Sequence, residues 1–145
     1  MDKQRKIHVL LVDDEHRFRT TATATLKKRG FEVTGAASGA EALDVIRETQ
    51  VDVVVLDVKM PGMDGNEALR QIKILRPELE VIMLTGHGTV NSALEGWRDE
   101  AFAYLTKPYD IDLLAEKIRD AVAKRKGLDG TLWYSVWADE QQPPS

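Results

Sequence analysis

At 145 residues, 43% apolar and 30% charged, the chain has the size and composition of one globular domain that builds its core without covalent staples. A formal net charge of −4 is not that of a nucleic-acid or membrane-surface binder. With no cysteine, a disulfide framework, a thiolate zinc site and a cysteine nucleophile are excluded, and a reducing compartment fits.

The opening MDKQRK followed by IHVLLV places charge before an apolar run, but that run contains His8 and stops at Asp13-Asp14-Glu15. It is too short for a signal-peptide core, and no segment approaches the ~20 apolar residues of a membrane span. A cytoplasmic protein is expected. Ile7–Val12 is the first predicted strand. The helix after it keeps Phe18, Ala22 and Leu26 on one stripe despite four threonines, and Gly30 stops it after Lys27-Lys28-Arg29. Phe31–Ala36 is the second strand, and Ser38-Gly39-Ala40-Glu41 is a capping box opening the second helix. The third strand, Val53–Leu56, runs into Asp57 and the loop Lys59-Met60-Pro61-Gly62-Met63-Asp64-Gly65. The third helix after it closes at Pro77. The fourth strand, Val81–Leu84, leads to Thr85-Gly86-His87-Gly88 and a fourth helix reaching Trp97. The fifth strand, Phe102–Leu105, leads to Thr106-Lys107-Pro108. In the last helix Ile111, Leu114, Ile118 and Val122 form an apolar stripe, with Gly127 as its stop.

The strand runs are nearly continuously apolar, as expected of strands buried on both faces. Five β-then-α units imply a doubly wound α/β fold with a parallel sheet, helices on both faces and right-handed crossovers. In such folds the functional crevice lies outside the carboxyl ends of the strands. Asp13-Asp14, Asp57, Thr85 and Lys107 stand at those ends. Two carboxylates ~4 Å apart repel by roughly 4 kcal/mol at an effective dielectric of about 20, and one lysine does not offset three acids. A hard divalent cation does, and carboxylates, a backbone carbonyl and water suit Mg²⁺. Lys107 supplies a second point charge, Thr85 a hydrogen bond, and Asp57 a carboxylate nucleophile able to form an aspartyl-phosphate.

These residues, with the Met60–Gly65 loop, Thr85-Gly86 and Lys107-Pro108, resemble the receiver domains of two-component response regulators, including the chemotaxis type. The resemblance covers roughly residues 6–126 and implies a flavodoxin-like (βα)5 sheet of order 2-1-3-4-5. It makes Asp57 the phospho-acceptor. Asp13, Asp14 and Asp57, with the Lys59 backbone carbonyl, become ligands of Mg²⁺ (or Mn²⁺), and Thr85 and Lys107 contact the phosphoryl group. Tyr104 matches an aromatic switch position, and Pro108 implies a cis peptide bond with Lys107. The implied donor is a sensor histidine kinase or phosphotransfer protein. The implied output is a change in the face formed by the fourth helix, fifth strand and fifth helix, for a partner or for homodimerisation. No enzymatic turnover beyond receiving and hydrolysing a phosphoryl group is expected, nor nucleic-acid or membrane binding by this chain alone. Lys59 and His87, two positions past Asp57 and Thr85, are placed to tune that hydrolysis.

Glu100 stands where related receivers often have glycine, which would alter the output face. Trp97 could face a partner there, or pack in the core. The receiver is expected to span residues 1–127. Residues 128–145 then form a tail whose aromatic part, Thr131–Trp137, is expected to dock on the domain or its dimer mate, or else is the start of a linker. Residues 138–145 have a disorder-prone composition. Both a stand-alone receiver and a fragment of a larger transcriptional regulator fit the sequence. A phosphatase of the haloacid-dehalogenase type would place an acid where Lys59 stands and would carry a cap insertion. A receiver that binds without being phosphorylated would show degraded key positions. Neither pattern is present.

Overall fold

The short β-branched runs pair side by side, and the segments between them close over both faces as helices. A computed structural model describes residues 6–58, 62–63, 65–86 and 101–125. Within them the chain forms β1 (His8–Val12), α1 (His16–Lys28), β2 (Glu32–Ala36), α2 (Gly39–Glu48), β3 (Val53–Asp57), α3 (Gly65–Leu75), β4 (Glu80–Thr85), β5 (Ala103–Thr106) and α4 (Ile111–Arg125). The expected helix between β4 and β5, with His87, Trp97 and Glu100, lies outside the described residues, as do Lys59, the Gly127 stop and the tail. No described helix is long and apolar enough to cross a membrane.

All strand pairs are parallel, in the order β2-β1-β3-β4-β5, the flavodoxin-like doubly wound arrangement. Successive side chains of a strand point to opposite faces, and the core divides accordingly. Leu10, Val12, Val54, Leu56, Val81 and Met83 pack against Ala42, Leu43 and Ile46 of α2 and Ala68, Leu69 and Ile72 of α3. Val9, Leu11, Val53, Val55, Ile82 and Leu84 pack against Ala22 and Leu26 of α1 and Leu114, Ile118 and Val122 of α4. Each fully buried Leu or Ile contributes roughly 1.5–3 kcal/mol, so this two-sided core fixes the sheet whose carboxyl ends carry the site.

β1, β3 and β4 are buried throughout, but the expectation of burial on both faces fails for the other two strands. β2 exposes Glu32 and Gly35, and β5 exposes Tyr104 and Thr106. These are the sheet's edges, each with a neighbour on one side only. The helix signals map closely. Gly30 adopts φ 96°, and the Gly30 and Phe31 amides donate to Lys27 O and Leu26 O, a Schellman stop that needs a residue free to enter the left-handed region. Ser38 Oγ accepts from the Glu41 amide at 3.1 Å, while Glu41 Oε1 accepts from the amide of Ala37 rather than of Ser38.

Candidate functional site

Strand register builds the site. Val12 pairs with Leu56, so Asp13 and Asp57 follow at neighbouring positions just past that pair. Asp57 pairs with Leu84, which sets Thr85 one step farther out, and Thr85 pairs with Thr106, which sets Lys107 one step beyond that. The Lys107 amide donates to Thr85 O at 2.7 Å, and the Val58 amide to Leu84 O at 2.9 Å, so β3, β4 and β5 remain tied to the point where the site begins.

Asp13 is fully buried and Asp57 is 5% exposed, whereas Asp14 is exposed. The three carboxylates each offer an oxygen, and these oxygens all lie within 4.8 Å of one another. Lys107 Nζ reaches into the cluster, 3.2 Å from Asp13 Oδ2 and 3.4 Å from Asp57 Oδ1. Among the described residues, one ammonium therefore faces three carboxylates. Two oxygens on a single small divalent cation with bonds of about 2.1 Å lie at most ~4.2 Å apart. The bound of 4.8 Å on the cluster is slightly wider than that limit, a gap that small side-chain rotations close, and its all-oxygen donor set is the one such cations take. The three acids could hold a metal ion.

Several contacts set the backbone around the site and hold the Asp13 carboxylate. Asp13 Oδ1 accepts from the Glu15 amide at 2.9 Å, and Arg19 Nη1 donates to Asp13 O at 2.6 Å. Gly65 makes room for α3 directly behind Asp57: a Cβ there would lie 2.6 Å from Val58 Cα and 2.8 Å from Asp57 O. Gly62 adopts φ 78°, a conformation that favours glycine. Thr85 is 1% exposed, its hydroxyl directed at Leu105 O at a long 3.5 Å. The Lys107–Pro108 bond is cis.

Two residues absent from the sequence-based site complete its wall. The Phe18 ring lies 4.5 Å from Lys107 Nζ in cation–π contact. The Tyr109 ring meets Phe18 edge-on at 5.8 Å and 80°. Burial, and secondarily the negative charge of Asp13, raise the Tyr109 hydroxyl to about 12, so the phenol is neutral beside the acids. The available signals were position alone: Phe18 lies four residues past Asp14, and Tyr109 two past Lys107.

Of the expected residues, Asp13, Asp14, Asp57 and Lys107 meet at one point, and Thr85 lies beside them at the end of β4. Tyr104 stands on β5 opposite Met83, 39% exposed. The Lys59 carbonyl lies outside the described residues.

Comparison with known proteins places these features in a family. The family model described as "Response regulator receiver domain" matches residues 9–119. The chain is 37% identical over 116 residues to sporulation initiation phosphotransferase F of Bacillus subtilis, covering 80% of this chain and 90% of that protein. It is also 37% identical over 118 residues to the C4-dicarboxylate transport transcriptional regulatory protein DctD of Rhizobium meliloti, spanning 81% of this chain but only 26% of that regulator. Among solved structures, a response regulator receiver domain protein from Clostridium thermocellum superposes with a TM-score of 0.78 at 36% identity, covering 83% of this chain and 97% of that one.

Proposed function

The chain belongs to the response regulator receiver family, and from that premise we propose that it is a signalling switch in which Asp57 accepts a phosphoryl group in a Mg²⁺-dependent reaction, Mn²⁺ serving in its place. The observation that carries this reading is the convergence of Asp13, Asp14, Asp57 and Lys107, three carboxylates against one ammonium.

In the transfer, an Asp57 oxygen forms a bond to phosphorus as the donor's P–N bond breaks, and the leaving imidazole keeps the electron pair. The donor is a phosphohistidine on a sensor kinase or phosphotransfer protein. Asp13, Asp14 and Asp57 would hold the cation, together with the Lys59 carbonyl that the family pattern assigns. Bound there, it supplies the charge neutralisation that lets an anionic donor approach the acids. Lys107 already lies 3.4 Å from Asp57. Its ammonium, steadied by Phe18, can turn from the carboxylate to an oxygen of the arriving group, with Thr85 donating to another. Water later cleaves the acyl phosphate, the protein's only other chemistry.

Output follows from what Thr85 and Tyr104 share. They stand on adjacent strands, Thr85 two residues beyond Met83, the partner of Tyr104, one buried and one exposed. A shift of Thr85 toward the phosphoryl group would open space for the Tyr104 ring and reshape the face carrying β5 and α4 for a partner or a second copy. Equal identity to the receiver portion of a much longer transcriptional regulator favours a second reading of the output, in which such a module reads the switch. The phosphoryl chemistry is common to both readings. A cytoplasmic location fits a kinase-fed switch.

Beryllofluoride, a mimic of the aspartyl-phosphate, tests this reading at equilibrium. Fluorine NMR should show it bound to the full chain in the presence of Mg²⁺, and not bound after chelation or in Asp57→Asn. Absence of binding to the parent chain, or equal binding by the variant, would overturn the assignment.

A further inference from the structure

Beside the acidic site, sharing Lys107 and Phe18 with it, runs an apolar groove. It lies between α1 and the start of α4, encloses about 570 Å³, and is lined chiefly by Phe18, Ala22, Thr25, Pro108, Tyr109 and Ile111. Phe18, Tyr109 and Ile111 are partly buried, packed against the core yet open on their groove side. Lys107 forms the end of the groove nearest the acids. The volume suits one or two aromatic side chains, and the lining is of the apolar kind that receives them.

Charge specifies the occupant further. α1 reads HRFRTTATATLKK and carries no acid; Arg17 and Lys28, one turn from the groove residues Thr21 and Thr25, border this wall, whereas Arg19 and Lys27 lie on the other side of the helix beside Gly35. The sequence after α4 has the complementary character. Thr131–Trp137, TLWYSVW, carries two of the chain's three tryptophans, and residues 126–145 hold Lys126 against Asp129, Asp139 and Glu140. An aromatic core with acidic flanks fits an apolar groove with basic flanks.

Length permits the match. Arg125 and Ile111 bound a 15-residue helix, so the chain must return about 21 Å from one end of α4 to the other. At ~3.3 Å per residue the steps from Arg125 to Trp133 cover about 26 Å, and those to Trp137 about 40 Å. Gly127 and Gly130 supply the freedom for the reversal.

We propose that Thr131–Trp137 docks in this groove of its own chain, setting an indole ring against Phe18, Tyr109 and Ile111 and covering the outer side of Lys107.

The test uses the full chain carrying Trp97→Phe, so that emission reports Trp133 and Trp137 alone. Docking predicts blue-shifted emission, protected from acrylamide and unchanged on dilution. Thr21→Glu, an anion on the exposed groove wall, should shift emission to the red and restore quenching. Independently, the Ile111 methyl resonances should carry an indole ring-current contribution, beyond that of Phe18 and Tyr109, that is lost in Trp133→Ser/Trp137→Ser. Emission typical of free indole, or Ile111 resonances indifferent to the tryptophans, would overturn the proposal. Protection that disappears on dilution would assign the groove to a second copy and overturn docking within one chain. Beryllofluoride binding by the same samples reports separately on Asp57.

Discussion

At the amino-terminal end of the sheet the described residues bury His8, Asp52 and Glu80; at the carboxyl end they bury Asp13, Asp57 and Thr85. The lower set is matched group by group. His8 and Asp52 tie β1 to β3 twice, through His8 N–H to Asp52 Oδ2 at 2.8 Å and Asp52 N–H to His8 O at 2.8 Å. The imidazole is held between Gln50 O and the Thr34 hydroxyl, and Glu80 faces Lys124 at 3.5 Å. Each polar group there meets one of opposite character, as burial requires for stability. The upper set gathers like charges instead, with one lysine among three acids. Buried polarity that is balanced holds a fold together, whereas buried polarity that is unbalanced is set to receive a ligand of opposite charge.

That contrast can be broken or sharpened by treating the two ends alike. The largest effect should come from the cation. At about a hundredfold its dissociation constant, Mg²⁺ should raise the unfolding free energy by ~2.7 kcal/mol, read by chemical denaturation, and Asp13→Asn should remove most of that gain. An undiminished gain in the variant would place the cation elsewhere. At the lower end, Asp52→Ala should cost about 2 kcal/mol by stranding the buried His8 N–H, with the response to Mg²⁺ intact. A variant that also lost the Mg²⁺ response would merge the two ends.

Tyr109 gives the next effect. Its folded value of about 12, against 10 when unfolded, favours the protonated form in the fold. The contribution is therefore fully present below about pH 10 and is lost as pH rises from 10 to 12. Two units correspond to about 2.7 kcal/mol, and partial exposure reduces this to about 1–1.5 kcal/mol. Tyr109→Phe should flatten that part of the stability profile relative to the parent, and parallel profiles would refute it. The smallest effect is also the most telling in sign. Without metal, Asp57→Asn should stabilise the fold by about 1 kcal/mol, because among the described residues two carboxylates repel Asp57 and one ammonium attracts it. Destabilisation would mean that the upper end is balanced like the lower one.

The acidic rim was legible because the strand ends could be read from apolar runs, and a parallel sheet brings its carboxyl ends together whatever the helices do. Contacts between helices were not legible in the same way. Phe18 reads as one member of an α1 stripe, and that stripe says the ring is shielded, not that Lys107 lies over it. Tyr109 is silent for the same reason, since its partner Phe18 is distant in sequence. The edge exposure of β2 and β5 depends on strand order, which the individual runs do not encode. Glu41 shows a finer limit: its spacing from Ser38 marks the helix start, but rotamer and local backbone decide that its carboxylate caps Ala37 N–H.

Intact mass after incubation with acetyl phosphate and Mg²⁺ tests the central claim most directly. The account predicts the gain of one phosphoryl group, mapped to Asp57, abolished by chelating the metal and absent in Asp57→Asn. An unmodified parent chain, or the same gain in Asp57→Asn, would contradict it.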